Sequence, residues 1–208
     1  MRIAILTFQG FNELDSFIAA GILNRMRSHG WQAQITCPES SVTSMNGVLI
    51  HAQEGLEFAN TADAVLIGSG IYTRDVVNDA RTMGSLDLDP RRQLIGAQCS
   101  GALVLAKLGL LAGVPACTDL TTKPWVQEAG VNVLDQPFFA RGNVATAGGC
   151  LSSSYLAAWL IARLAGLEAC ADALYYVAPV GEKKPYVDHA LSVITPFLPS
   201  SEPVPATA

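Results

Sequence analysis

Gln93-Leu94-Ile95-Gly96-Ala97-Gln98-Cys99-Ser100-Gly101-Ala102-Leu103-Val104-Leu105 climbs through a short apolar run to a cysteine, crosses small residues and continues as an apolar, helix-like stretch. This reads as strand, sharp turn and helix, with the thiol at the turn. The pattern Ala97-x-Cys99-x-Gly101 is a thiol counterpart of the serine elbow G-x-S-x-G, with small residues where the backbone turns tightly. A thiol beside exposed amide donors is expected to have a lowered pKa, and the thiolate is the reactive form. The competing reading is a buried structural cysteine, because free Cys packs as a small apolar group.

Outward from the elbow, β-type runs alternate with helical patterns. Ile3–Phe8, Trp31–Cys37, Ala64–Ile67, Leu94–Gln98 and Asn143–Ala147 are strand candidates. Ser44–His51 reads as a hairpin arm around Asn46-Gly47. Leu14, Phe17, Ile18, Gly21 and Ile22 follow helical spacing; Ala102–Leu111 predicts a helix stopped by Gly113 and Pro115, and Ser152–Leu164 one stopped near Gly166. Strands alternating with helices imply a parallel sheet covered on both faces, with ligands at the carboxyl ends of the strands. Cys99 and the Gly68-Ser69-Gly70 turn both lie at such ends. The expected fold is α/β, a flavodoxin-like three-layer sandwich with a mostly parallel central sheet and a nucleophile elbow. A single domain is expected over 1–198, followed by a disordered tail over 199–208.

The 208 residues suit one domain. Half are hydrophobic and 15% charged, which allows a large core. A net charge of −5 without a basic cluster argues against a nucleic-acid surface. No apolar run is read as reaching the length of a membrane span. The start, Met1–Phe8, reads as a first strand rather than a secretory signal. Five widely spaced cysteines without a C-x-x-C pair speak against zinc and disulfide frameworks, and the cytoplasm is the simplest compartment.

Three elements can converge on chemistry: Cys99, Asp15 and the 68–70 turn. Asp15 also reads as part of a capping-box-like pair with Asn12, at the start of the first helix. As a functional group it would carry protons beside the sulfur, its pKa raised by desolvation and like charge. The Gly70 and Ser100 N–H groups could form an anion-stabilising pair; the 68–70 segment also reads as a plain turn. It fits neither a P-loop nor G-x-G-x-x-G.

Taken together, these residues resemble the ThiJ/PfpI superfamily, with its glutamine-amidotransferase-like fold, over roughly residues 1–180. The resemblance is carried by Phe8–Asp15, where the family places an acid near the cysteine; by Asp63–Gly70; by Gln98–Ala106 with Leu108–Gly113; and by Asn143–Gly149. The chain looks most like the isocyanide hydratase branch, because Asp15 stands at the acidic position and Ser100 supplies the hydroxyl after the cysteine. That similarity implies cofactor-free attack of Cys99 on an isocyanide carbon and a thioimidate. Asp15 then moves protons and activates water to give an N-formamide. It also implies a homodimer and a small-molecule substrate.

The chain departs from the family where Asp119 stands at a common histidine position, where the Pro-Gly-Gly turn reads Gly68-Ser69-Gly70, and at Ser152–Tyr155. No histidine lies near the matched motifs, which disfavours a Cys–His dyad. Asp119, Ile71 and Cys150 are candidate pocket residues; Asp119 reads first as a solvated loop carboxylate. Cys117 and Cys150 read first as small core residues, with resolution of an oxidised Cys99 as the alternative. Trp125 and Phe138-Phe139 fit either a pocket wall or a subunit contact. The functional readings are a cysteine-nucleophile hydratase, a non-catalytic redox or ligand sensor using the same thiol, and a hydrolase or glyoxalase-type member acting on another small electrophile. A fused regulator is disfavoured by the absence of a helix-turn-helix or basic face.

Overall fold

The computed structural model describes residues 1–199, so the tail expected over 199–208 lies outside the described residues apart from Pro199. Seven strands form one sheet in the order β5-β2-β1-β6-β7-β9-β8. They are β1 (Arg2–Leu6), β2 (Gln32–Cys37), β5 (Glu54–Gly55), β6 (Ala64–Ile67), β7 (Leu94–Gln98), β8 (Phe138–Arg141) and β9 (Val144–Ala147). All pairings are parallel except β8 with β9. A separate hairpin joins β3 (Ser41–Thr43) to β4 (Leu49–His51) across the Asn46-Gly47 turn.

Alternation along the strands builds two cores. Ile3 and Ile5 of β1 face one layer, while Ala4 and Leu6 face the other. The first layer contains α1 (Glu13–Leu23), α6 (Ser153–Val177) and α7 (Lys183–Ile194). The second contains α4 (Gly101–Lys107), part of α5 (Lys123–Glu128) and the turn Leu56–Asn60. Two short helices, α2 (Thr73–Asn78) and α3 (Ala80–Gly84), flank this second face. The expected three-layer α/β sandwich is therefore present.

Several boundaries differ from the sequence reading. The helix expected over Ala102–Leu111 ends at Lys107, because Gly109 takes a left-handed φ of 76°. Gly166 does break the helix begun at Ser153, with φ 89° and ψ 169°, but a second helical stretch resumes to Val177. Phe138 is neither pocket nor subunit surface: it is fully buried and packs against Trp159 and Phe197. The stretch Cys150–Val177 also corrects the reading that no apolar run has membrane-spanning length, since one window has mean hydropathy 1.3. Over half of that window is buried inside the protein, and the Gly166 break divides it; this is the behaviour of a core helix.

Close packing sets the turn after β7. A Cβ on Gly101 would lie 2.5 Å from the Ile67 carbonyl oxygen and 2.8 Å from that of Gly68. Both obstacles are backbone, so neither can swing away. We expect Gly101→Ala to lower unfolding free energy by about 1–3 kcal/mol, the usual range for overpacking, as read from urea denaturation. Unchanged stability would mean that the end of β6 can retreat.

Candidate active site

The elbow is strained and pinned. Cys99 has φ 47° and is the single non-glycine residue with positive φ among the described residues. Its N–H donates to the Ala147 carbonyl at 2.8 Å, and its own carbonyl accepts from Thr118 Oγ1 at 2.7 Å. The first bond ties the turn to the end of β9, the second to the loop after α4. The sulfur is nearly buried, at 2% residue exposure, yet it lines a cavity of about 380 Å³. Larger cavities lie elsewhere on the surface, such as one of about 520 Å³ beside Arg25 and Tyr176, and none of them contains Cys99.

Asp15 comes to the sulfur because the first helix is capped by another residue. Asn12 Oδ1 accepts from the Leu14 N–H at 3.1 Å, while the Asn12 N–H donates to the Ser69 carbonyl at 2.9 Å. Asp15 therefore does not close a capping box. Its carboxyl is buried, and its Oδ2 accepts a short hydrogen bond from Ser69 Oγ. The loop holding it is stitched to the 68–70 turn by a bridge between Phe11 and Gly70 and by the Ile71 N–H to Gly10 carbonyl bond at 3.0 Å. Asp15 Oδ1 is buried without a hydrogen-bond partner, in a carboxyl whose neighbours are the thiols of Cys99 and Cys150.

One carboxylate oxygen of Asp15, Cys99 Sγ and Cys150 Sγ all lie within 4.8 Å of one another. This is the one donor cluster among the described residues with metal-ligand chemistry. Each sulfur accepts a side-chain amide N–H: Gln98 Nε2 reaches Cys99 at 3.3 Å, and Asn12 Nδ2 reaches Cys150 at 3.1 Å. The Gln98 amide also donates to the Gly149 carbonyl at 2.8 Å, which fixes its orientation.

The electrostatics reverse one expectation. Burial pushes the Cys99 thiol up rather than down, and the charges of Asp15, Asp119 and Cys150 add to the effect. Burial also raises Asp15, partly opposed by hydrogen bonds from Ser69, Cys99 and Cys150. That direction is the expected one. No Lys, Arg or His lines the cavity, so no cation offsets the crowded acids. Elsewhere Cys37 rises to about 11 from burial alone, without an acid beside it.

The remaining candidates sort as follows. Ile71 and Asp119 line the cavity, as does Trp125. Asp119 serves two functions, because its Oδ1 also accepts from the Thr121 and Thr122 N–H groups at 2.9 and 3.0 Å. Gly70 is at the site, but its N–H is not open to a ligand: it donates to Ser100 Oγ at 3.1 Å. Ser100 Oγ also meets Thr73 Oγ1 at 2.7 Å. The Gly70–Ser100 amide pair is thus half covered by the Ser100 side chain, which must swing aside before both donors can meet a ligand. Cys117 is fully buried and outside the cluster. Sequence reasoning missed Ser69 as the partner of Asp15, along with Gln98, Thr73 and Thr118. A hydroxyl between two glycines was the available signal for Ser69; the others depend on contacts distant in sequence.

A doubly covered, mostly parallel sheet with a strained cysteine at the β7–α4 bend and a buried acid beside it defines an α/β protein of the cysteine-elbow class. The chain belongs to the DJ-1/PfpI family, whose model matches residues 1–163. That family includes enzymes. Similar solved structures include DJ-1 of Schizosaccharomyces pombe, with 16% identity, 86% of this chain and 100% of that chain covered, and a TM-score of 0.73. A ThiJ/PfpI family protein from Pseudomonas syringae has 18% identity, coverage of 94% and 87%, and a TM-score of 0.76. A ThiJ/PfpI domain protein from Brachyspira murdochii has 20% identity, coverage of 75% and 91%, and a TM-score of 0.65. At these identities the likeness establishes the fold. Comparison with curated proteins gives no match.

The raised Asp15 has a thermodynamic consequence. Its folded pKa exceeds the unfolded value near 3.8. Below that value both states hold the proton and the full stability is present; as pH rises through the folded pKa, the folded state must ionise a buried acid and stability falls. Asp15→Asn removes this loss. We expect the variant to be more stable than wild type at neutral pH, and the advantage to shrink toward pH 4. Urea unfolding across that range checks the sign; a variant that loses stability with rising pH as wild type does would contradict it.

Proposed function

We propose that the protein is a cofactor-independent hydratase that adds water to an isocyanide through Cys99, giving an N-formamide. The observation that carries this reading is the buried Asp15 carboxyl within 4.8 Å of the Cys99 sulfur, behind a cavity that Cys99 lines and that has no cationic side chain in its wall. Such a cavity suits a small neutral electrophile. An anionic substrate would meet Asp119 in the wall and Asp15 behind it with nothing to balance its charge.

The chemistry uses one thiol and one acid. Burial raises both the Cys99 thiol and the Asp15 carboxyl, and the acid beside the sulfur is the group placed to move protons. Sulfur attacks the terminal carbon of R–N≡C while that carbon receives the proton, giving the thioimidate R–N=CH–S–Cys99. Asp15 then takes a proton from water as the oxygen adds to the same carbon, and returns a proton to nitrogen. Collapse of the adduct expels the Cys99 sulfur, which regains its proton, and releases R–NH–CHO. The Ser100 amide, with the Gly70 amide once the Ser100 hydroxyl moves, steadies the polar adduct.

Incubation with an aryl isocyanide, followed by chromatography of the formamide, tests the reading. Cys99→Ala should abolish turnover, and Asp15→Asn should cut kcat by about 10²–10⁴-fold, the span of general acid–base contributions. Wild type that makes no formamide from any small isocyanide would sink the assignment.

We also propose that the chain pairs with a second copy. Leu14, Phe17 and Leu151 are exposed around the elements that carry Asp15 and Cys150, which supports burial of that face. Sedimentation equilibrium should give twice the 21.9 kDa chain mass; a lone protomer at micromolar concentration would overturn the pairing. All five cysteines are free thiols, in keeping with a reducing cytoplasm.

A further inference from the structure

The hydratase reading leaves Cys150 without a task. This side chain is half-buried, lines the same cavity as Cys99, and its sulfur lies within 4.8 Å of the Cys99 sulfur. Cys37, Cys117 and Cys170 are buried in packing and belong to no such cluster. We propose that Cys99 and Cys150 form a reversible disulfide at the end of hydroperoxide reduction, with Cys99 as the oxidised thiol and Cys150 as the one that resolves it.

Three features carry the proposal. The first is reach. A disulfide needs its sulfurs about 2.05 Å apart. One staggered χ1 step moves a sulfur by about 3 Å, enough to close the gap. The second is placement. Cys150 opens the single turn Cys150–Ser152, directly after Gly149 at φ 86°, so its backbone is not locked inside a long helix or the sheet. The third is polar support. Asn12 and Gln98 each donate an amide N–H to one sulfur, and a carboxylate oxygen of Asp15 lies within 4.8 Å of both thiols, near enough to serve as their proton acceptor.

The balance is as follows. The Cys99 thiol and a hydroperoxide, ROOH, give Cys99–S–OH and ROH; the O–O bond breaks and an S–O bond forms. The Cys150 sulfur then attacks the sulfenic sulfur. Hydroxide leaves, takes the Cys150 proton by way of Asp15, and departs as water while the S–S bond forms. An external dithiol restores both thiols and becomes a disulfide itself. None of these steps uses an isocyanide or its adduct, so the proposal stands apart from the hydratase reading.

The test counts thiols rather than turnover. Reduced protein is treated with two equivalents of hydrogen peroxide, unfolded in iodoacetamide, digested and analysed by mass spectrometry. We expect a Cys99–Cys150 linked peptide, with Cys37, Cys117 and Cys170 alkylated, and full recovery of both thiols by dithiothreitol. In Cys150→Ser, Cys99 should advance to sulfinic acid, and dithiothreitol should not restore it. Cys150→Ala, made in parallel, should behave as Cys150→Ser does. Wild type in which Cys99 becomes sulfinic while Cys150 stays alkylatable would overturn the proposal. So would identical oxidation products in wild type and both variants. Formamide production by the reduced protein is a separate assay, so either reading can fail alone.

Discussion

The site depends on one backbone conformation that an ordinary residue avoids. Left-handed φ at a non-glycine residue costs about 1–3 kcal/mol, so it persists only where neighbours over-determine it. At Cys99 the neighbours are explicit. The N–H is held by the end of β9 and the carbonyl by Thr118, and the next turn is pressed against the carbonyls of Ile67 and Gly68. The register of the sheet places these ends together, because Ile67 pairs with Ala97 and Gln98 with Ala147. The strain is therefore carried by three strands rather than by the loop itself.

A second constraint follows from what the bend does to charge. Lifting the sulfur off the sheet brings it beside a carboxyl that has also lost its water. Burial disfavours both anions, and each anion disfavours the other. The sequence suggested an activated thiolate steadied by amides. In the folded protein burial and the neighbouring acids push the thiol up instead, and Asp15 is the proton-carrying group beside it.

The fold was legible because its signals are local. β7, its elbow and the Gly166 break can be read from apolar runs and small residues alone. What escaped the reading depends on partners distant in the chain. α7 is polar over much of its length and carries Pro185 in its first turn, so its helical pattern is weak until Val187, Ala190 and Ile194 join the core beside α6. β8 exists because β9 supplies its hydrogen bonds and Trp159 packs against Phe138. In the site, Cys99 and Asp15 stood out, since a cysteine at a turn and an acid in a first helical turn are visible patterns. Ser69 did not stand out, because its contact with Asp15 spans 54 positions. Asp119 caps a turn with one oxygen and also borders the cavity, so its hydrogen bonds to the loop do not take it away from the site.

The absence of a cation from the cavity wall limits the chemistry further. Thiol enzymes that hold a resting thiolate normally set it against His⁺, Lys or a helix N-terminus. Here the lining offers one acid, Asp119, and several hydroxyls, and α4 is short. Such surroundings disfavour a resting thiolate. On the proposed hydratase reading this suits an isocyanide, whose carbon takes the bond to sulfur and the proton at one atom. Substrates that demand a long-lived oxyanion, such as a tetrahedral adduct of an amide, would need both the Gly70 and Ser100 amides, and the first of these is occupied by the Ser100 hydroxyl. That occupied amide is the reason we propose addition across a polarised carbon rather than hydrolysis.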